Sequence, residues 1–363
     1  MNTDSAFPSR LLDGPRGRRF ALEYALASEA TTGASTHSLF SLAHGFTPFT
    51  PESGELAADI LALLPLAPVT PELLRRCLIS TTEAAAYWQE PDTPDLLAAT
   101  APVRRALERV ARHLGDSPHF RSWWAPRDVR SQEQWVVDWE DRGFPPPLPE
   151  NLSPLVAWRA TTLEREERAA REKPRDPRAS YGDCWWSIPH FDTPATMPPC
   201  FDGTPSGLYY VEDSLGWARA RTRRAVYPPV SSPLNLYRID SAEDWASLCS
   251  RFPLEVTAIT RHDWYRTTGR DGRWVIPDWA QVARHYHAVR LTLAGYLSGA
   301  GTAIPVEKDT ASVIAGWHPD QTYWFTPLLR YHGKAVSWES NDSGWTALSG
   351  DAGTPDKSGS NGS

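Results

Sequence analysis

Apolar residues recur at helical spacing in three successive segments of the first third of the chain. The first segment, 55–64, stops at a proline, which cannot continue a helix. The second begins with Thr-Pro-Glu at 70–72, where a capping threonine, a first-turn proline and an acid are typical of a helix N-terminus. Thr-Pro-Asp repeats this start, and an apolar stripe follows over 93–114. Pro102 is able to divide that last segment into two helices.

Two other N-terminal segments have less regular patterns. Residues 1–20 are predicted to be poorly ordered, and the apolar run at 20–26 begins either a helix or a strand. Within 119–142, Trp135 and Trp139 are four residues apart and would share one face of a helix. We therefore interpret 119–142 as a helix that packs over the neighbouring domain.

The second half of the chain has shorter apolar runs rich in aromatic and β-branched residues, which favour strands. The segments predicted as strands are 208–213, 234–240, 288–297, 313–317, 322–326 and 335–338. Ser-Ala-Glu-Asp at 241–244 resembles a capping box and predicts a helix between two of them. A further short helix is predicted over 278–286.

Together these patterns predict an α+β protein, in which a helical N-terminal region packs on a C-terminal domain with a mixed or antiparallel sheet. The length of 363 residues is enough for two domains. The predicted divisions are a mainly helical region at 1–145, a proline-rich and charged linker at 146–180, an α+β domain at 181–348 and a disordered tail at 349–363.

Charge and composition argue against several classes of protein. A net charge of −7 disfavours a general nucleic-acid binder, which usually carries a basic domain. No apolar run reaches the roughly 18 residues of a membrane helix, and the polar start lacks a secretory signal. The four cysteines fit neither a C-x-x-C motif nor a zinc module. We therefore expect free thiols and a cytoplasmic protein without a membrane partner.

The composition of basic and aromatic residues is unusual. Only four of the 37 basic residues are lysine, and 17 residues are tryptophan. The excess of arginine over lysine reflects codon bias in one interpretation and bidentate binding of anions in the other. Tryptophans fill cores and domain seams, or they line a pocket that stacks planar ligands. A converging group of arginines and tryptophans would favour the second interpretation in both cases.

The stretch 261–279 concentrates the polar and aromatic residues most strongly and is interpreted as a loop, with two glycines in its middle. An imidazole beside a carboxylate is able to act as a general base or acid, so His262 and Asp263 are the candidate catalytic residues. The opposing interpretation is structural, because adjacent side chains on an extended segment point apart. The candidates for substrate binding are Arg238, Arg261, Trp264, Tyr265, Arg266 and Trp274.

Other candidate sites have simpler alternatives. Arg238 interrupts an otherwise apolar strand, where it either lies at a sheet edge or points into a cleft to hold an anion. A metal site would draw on His285 with His287, or on His318 with Asp320, but exposed histidines at strand ends are commoner. No metal and no particular cofactor is predicted. Neither G-x-x-x-x-G-K-[ST] nor G-x-G-x-x-G occurs.

One order of residues loosely resembles that of the ADP-ribosyltransferases, which use an arginine, a serine or threonine and a glutamate on successive strands. The corresponding residues here are Arg238, then Thr292 and Ser298, then Glu339. The Ser-Thr-Ser strand and the paired-glutamate loop of that family are missing, so membership is not claimed. The resemblance implies a nucleotide-containing donor whose phosphate the arginine holds.

Two functions from different classes follow from these patterns. The first is an enzyme acting on an anionic planar small molecule such as a nucleotide-type donor, with a transferase as one form. The second is a non-catalytic binding or assembly protein that uses a tryptophan-rich interface. An enzyme should show polar groups converging in a concave pocket, whereas an assembly protein should show a broad, flatter aromatic patch.

Overall fold

The computed structural model describes residues 7–32, 39–45, 50–125, 128–129, 133–139, 151–190, 192–214, 216–227, 234–341 and 344–348. The predicted tail at 349–363 lies outside these ranges. Helices predominate in the N-terminal half and strands in the C-terminal half, so the predicted α+β class is confirmed. The division of the chain into domains stays a prediction.

The described helices are α1 Phe7–Asp13, α2 Pro15–Thr32, α3 Leu39–His44, α4 Pro51–Leu63, α5 Pro71–Glu83, α6 Thr93–Ala99, α7 Ala101–Asp116, α8 Pro118–Arg121, α9 Ser153–Glu172, α10 Ala242–Arg251, α11 Thr257–Thr268, α12 Trp279–His285 and α13 Leu293–Gly299. The described strands are β1 Gln134–Trp139, β2 Ala195–Thr196, β3 Arg219–Val226, β4 Leu236–Ile239, β5 Pro253–Glu255, β6 Arg273–Pro277, β7 Ala288–Leu291, β8 Ile304–Pro305, β9 Thr310–Ser312, β10 Thr322–Trp324, β11 Arg330–Asn341 and β12 Gly344–Ala347.

Three four-stranded sheets are formed by these strands. The first has the order β1-β3-β11-β12 and is antiparallel throughout. The second, β2-β10-β7-β4, pairs β4 with β7 in parallel. The third, β5-β6-β9-β8, pairs β6 with β9 in parallel. The expectation of mixed or antiparallel pairing is therefore met by three small sheets instead of one.

Local capping chemistry explains why several helices begin where they were predicted. The Thr70 hydroxyl accepts a hydrogen bond from the Leu73 amide at 3.2 Å, immediately before α5. Ser241 caps α10 in the same way. The cap of α6 is Asp92 and not Thr93, and Thr100 ends α6 before α7 begins. The predicted division near Pro102 is therefore confirmed.

Several predicted strands and one predicted helix are wrong. The helix expected over 119–142 ends at Arg121 as α8, and its tryptophans Trp135 and Trp139 lie in β1. The strand expected over 288–297 stops after β7, because Thr292 caps α13 by accepting from the Gly295 amide. Residues 208–213 form a 3₁₀ turn and bends, and 313–317 are irregular. The interpretation of 261–279 as a loop is also wrong for its first part, because residues 261–268 belong to α11.

One large hydrophobic cluster contains buried residues from both halves of the chain, including Phe20 and Leu107 on one side and Trp245 and Tyr296 on the other. Helices α1 and α2 pack against α13. At Gly14, between α1 and α2, an added Cβ would lie 2.5 Å from the Ser298 carbonyl oxygen. This close approach needs a glycine, and it fixes the N-terminal helices directly on the C-terminal part.

Within the predicted linker, α9 packs against α11 and α12. The Glu166 carboxylate accepts hydrogen bonds from the Ala258 and Ile259 amides at 2.7 and 2.9 Å. These amides lie in the first turn of α11, where a helix has donors without internal partners. A glutamate distant in sequence thus caps the helix that carries the predicted catalytic residues.

Candidate functional site

A concave cleft of about 860 Å³ lies between α5 and the β1-β3-β11-β12 sheet. A volume of this size lies within the range of ligand pockets in proteins. One wall of the cleft is a face of α5, and the other is formed by the sheet and by residues of 208–214 and 216–217 before β3. We refer to this feature as the aromatic cleft, because three tryptophans and a tyrosine line it.

The α5 wall follows from the sequence of that helix. The cleft is lined by Glu72, Arg76, Ile79 and Glu83, which follow one another at intervals of three or four residues, and by the adjacent Arg75. The opposite face of α5 is buried in the core through Leu74, Cys77 and Leu78. An amphipathic helix therefore presents two arginines and two glutamates to the cleft while its apolar face anchors it.

Three half-buried tryptophans form the opposite wall. Trp139 ends β1, Trp217 precedes β3 and Trp345 lies in β12. The Trp139 and Trp217 rings are stacked, with centroids 6.2 Å apart, and the Trp345 ring lies 5.5 Å from that of Trp139. Since the rings pack on one another, they form a continuous wall and not a cage around a ligand. A planar group would lie against this wall.

The two arginines of the cleft differ in what they already bind. The Arg75 guanidinium forms an ion pair with Asp202. It also lies 4.8 Å from the ring centroid of Phe201 and 5.1 Å from that of Tyr209. These contacts hold Arg75 in place and offset its charge. Arg76, one residue further along α5, is exposed. It is the cation of the cleft best placed to meet a ligand's charge.

Glu83 supplies a titratable group at the end of the same helix face. Glu83 is exposed, but the surrounding protein removes part of the hydration of its carboxyl and raises the pKa above its ordinary value. Tyr209, across the cleft, also has its phenol pKa raised by burial. Both groups therefore favour their neutral forms more than fully hydrated side chains do.

Comparison with protein-family models, with curated proteins and with solved structures finds no match to this chain. The geometry of the molecule is therefore the basis for any statement about function. In the described part of the chain, no helix is long and apolar enough to cross a bilayer. The four cysteines are free thiols.

The predicted catalytic pair lies on α11 and is buried. His262 has no exposed surface, and its Nδ1 lies 3.3 Å from the Pro177 carbonyl oxygen. Burial lowers the pKa of His262, which favours the neutral imidazole. Asp263 accepts a hydrogen bond from the Asp183 amide and pairs with Arg266, while burial raises its pKa. Both side chains thus have internal contacts, and their catalytic role stays a prediction.

The remaining predicted residues of this stretch divide into core and surface. Trp264 and Trp274 are fully buried and pack edge to face, with centroids 5.1 Å apart. Arg266 donates to the Trp88 and Tyr181 carbonyls at 2.7 and 2.9 Å. Two further residues contact the segment after α9 at the surface: Arg261 contacts the Arg175 carbonyl, and Tyr265 accepts from Arg178. These contacts hold the fold together around α11.

Arg238 lies elsewhere, in β4 beside Arg290 of the parallel strand β7. Both arginines border a pocket of about 10 Å³ together with Thr292 and Asp320. This is room for about one water molecule. Arg238 pairs with Asp240 at 2.9 Å. The predicted residues therefore occupy two separate places, α11 with β6 and the ends of β4 and β7.

The order that resembles ADP-ribosyltransferases is not a set of residues on successive strands. Ser298 lies in α13, and Glu339 lies in β11 of a different sheet. The candidate metal ligands also have other partners, because Nδ1 of His287 accepts from the Asn235 amide and Nδ1 of His318 from the Glu212 amide. In the residues that the structure describes, no group of three or more His, Cys, Asp or Glu side chains is suited to a metal ion.

Sequence reasoning missed the residues of the aromatic cleft. Trp139, Trp217 and Trp345 are far apart in the chain, and each resembles an ordinary core residue when taken alone. The excess of tryptophan was the available signal. It gave no indication of which tryptophans converge.

Replacing Asp263 with alanine is expected to destabilise the fold by about 1–3 kcal/mol, because the Asp183 amide loses its acceptor and Arg266 loses its ion pair. Urea unfolding of the variant and the wild type measures this difference. Asp271→Ala is the matched control, since Asp271 is exposed. Equal stability of Asp263→Ala and the wild type would contradict a structural role for Asp263.

Proposed function

We propose that the protein binds a planar small molecule carrying a negative charge in the aromatic cleft. The observation that carries the proposal is the continuous wall of three half-buried tryptophans facing the exposed Arg76 of α5. Stacking on indole rings serves many planar groups, because each has a π-face. A guanidinium opposite the wall favours a phosphate or carboxylate on the same ligand.

The concave shape of the cleft supports a small ligand over a protein partner. A surface used for assembly would be broad and flat, whereas this one encloses about 860 Å³ between two walls. The finer form of the proposal is an enzyme that acts on a nucleotide-type donor, with group transfer as its reaction. Glu83, with its raised pKa, is the carboxyl in the cleft that such a reaction would use for proton transfer.

Calorimetric titration with adenosine monophosphate (AMP) tests the proposal, with uncharged adenosine as the matched ligand. We expect the wild type to bind AMP more tightly than adenosine. Trp345→Ala should weaken AMP binding by about tenfold or more through the lost stacking. Arg76→Gln should reduce the preference for AMP over adenosine, because the charge that distinguishes the two ligands is removed.

Two control variants make the titration specific. Trp158→Ala removes a half-buried tryptophan of α9, and Arg112→Gln removes an exposed arginine of α7. Neither residue lines the aromatic cleft. Both variants should bind AMP as the wild type does. If AMP, NAD and ATP all fail to bind the wild type, or if the control variants lose binding equally, the proposal is wrong.

A further inference from the structure

Glu212 lies in the wall of the aromatic cleft but points away from it. Its neighbours Tyr209, Val211 and Ser214 line the cleft. The Glu212 side chain instead enters the core, and the residue is only 5% exposed. The segment 208–214, which we call the wall segment, is anchored in the interior by the buried side chains of Leu208 and Tyr210, and Glu212 adds a buried carboxyl group to this anchor.

The wall segment is joined to the chain just after α5 by two consecutive pairs of residues. The Tyr87 hydroxyl donates to Oε1 of Glu212 at 3.0 Å, and the indole Nε1 of Trp88 donates to Asp213 at 3.0 Å. Asp213 has a φ of 48°, in the left-handed region that an aspartate occupies at some cost. The attachment therefore holds a backbone conformation that the segment would not adopt freely.

The carboxyl of Glu212 is surrounded by groups from several elements. They are Arg16 of α2, Tyr87 after α5, Tyr296 of α13, Tyr323 of β10 and the Gly316 amide, while His318 accepts a hydrogen bond from the Glu212 backbone amide. Arg16, the cation among them, is committed to an ion pair with Asp95. The Glu212 carboxyl is therefore buried among hydroxyl groups and neutral rings, with the one nearby positive charge already paired.

A proton on the carboxyl suits this environment. Burial raises the pKa of Glu212 to about 8, and the hydrogen bond from Tyr87 opposes the rise only in part. Burial also lowers the pKa of His318 to about 4, so its imidazole is neutral and Nδ1 accepts the Glu212 amide. Within the described structure, neither Oε2 of Glu212 nor the Tyr296 hydroxyl makes a hydrogen bond of good geometry. A protonated carboxyl is able to donate to that hydroxyl.

We propose that Glu212 is a positioning residue that holds the wall segment in place only while its carboxyl is neutral, so that ligand binding in the aromatic cleft is coupled to a proton. The effect on binding rests on the proposed function, whereas the effect on the wall segment does not. When the proton leaves, the carboxylate needs solvent. The wall segment then moves outward, and Tyr209 and Val211 leave the cleft with it.

Hydrogen–deuterium exchange tests the proton-dependent attachment of the wall segment without any ligand. Peptides covering 208–214 are compared at pH 6 and pH 9, with correction for intrinsic exchange rates. The wild type should lose about tenfold in protection at pH 9. Glu212→Gln should be equally protected at both pH values, because glutamine keeps the hydrogen bonds without a proton to lose. Glu212→Ala should be unprotected at both. Glu108→Gln removes an exposed carboxylate of α7 and should behave as the wild type.

Equal protection of the wild-type wall segment at pH 6 and pH 9 would overturn the proposal, and so would a Glu212→Gln variant that still opens at pH 9. AMP titrations over the same pH range separate the two proposals. If the wild type binds AMP more weakly at pH 9 than at pH 6 and Glu212→Gln does not, both proposals are supported. A wall segment that opens with pH in a protein that never binds AMP supports the proton device and contradicts the proposed ligand.

Discussion

Replacing Asp320 with alanine is expected to destabilise the fold by about 3–5 kcal/mol, because it removes the carboxylate that pairs with the buried Arg290. Nε and Nη2 of Arg290 donate to Oδ1 of Asp320 at 3.1 and 2.6 Å. The side chains of Arg290 and Asp320 are only 2% and 8% exposed. Urea unfolding measures the loss.

Two further variants separate the effect of the lost charge from the effect of backbone strain at Asp320. Asp320 has a φ of 65°, which asparagine tolerates and alanine does not. Asp320→Asn should therefore lose the charge without the backbone strain and cost less than Asp320→Ala. Combining Asp320→Ala with Arg290→Met should recover part of the stability, since no charge is then left buried. A loss below about 1 kcal/mol in Asp320→Ala would contradict this description of the pair.

The second large effect is expected from Glu212→Gln, which should stabilise the protein by about 3 kcal/mol at pH 7. In the unfolded chain the Glu212 carboxyl is ionised above its ordinary pKa, whereas in the fold its pKa is raised to about 8. Folding at neutral pH therefore takes up a proton, and the stability of the wild type falls as the pH rises from about 4.5 towards 8. Glutamine has no proton to take up, so its advantage should grow across the same range.

His318 contributes a dependence of the opposite sign. Its pKa is lowered to about 4, so the unfolded chain takes up a proton that the fold excludes when the pH falls below the ordinary histidine value. The free energy of unfolding should therefore decrease as the pH falls below the ordinary histidine pKa, in the wild type and in Glu212→Gln alike. Unfolding free energies at a series of pH values measure both trends. Parallel curves for Glu212→Gln and the wild type above pH 5 would contradict a neutral Glu212.

Elements with local start signals were the predictable part of the fold. Thr70, Ser241 and Asp278 each cap a helix with their own side chain, and each helix was placed correctly from the sequence. Capping needs only neighbouring residues, so the sequence contains all of the necessary information. The same chemistry at Thr292 was overlooked, because the apolar residues on both sides fit a strand equally well.

Elements stabilised by distant residues were the unpredictable part. Residues 1–20 were predicted to be poorly ordered, but helix α2, which contains Arg16 and Arg19, begins at Pro15. In the fold both arginines are buried and pair with Asp92 and Asp95. Helix α11 has polar residues on every side, and a glutamate from α9 caps it. In both cases the partner lies about 70 to 90 residues away in the chain.

The candidate site depends most on such distant contacts. The aromatic cleft combines α5 with tryptophans from three strands or strand ends, and nothing in the sequence around Trp217 or Trp345 distinguishes them from the buried Trp264. The 261–279 stretch drew attention because its chemical groups are adjacent in sequence. The structure shows that this concentration of groups mainly joins α11 to the segments around 88 and 175–183.

Indole-detected NMR during an AMP titration tests the central claim most directly, with each tryptophan signal assigned by substitution. The account predicts that the Nε1–H signals of Trp139, Trp217 and Trp345 shift together and saturate, while those of Trp264 and Trp274 stay unchanged. Shifts confined to Trp264 and Trp274, or no saturable shift of the three cleft signals, would contradict it.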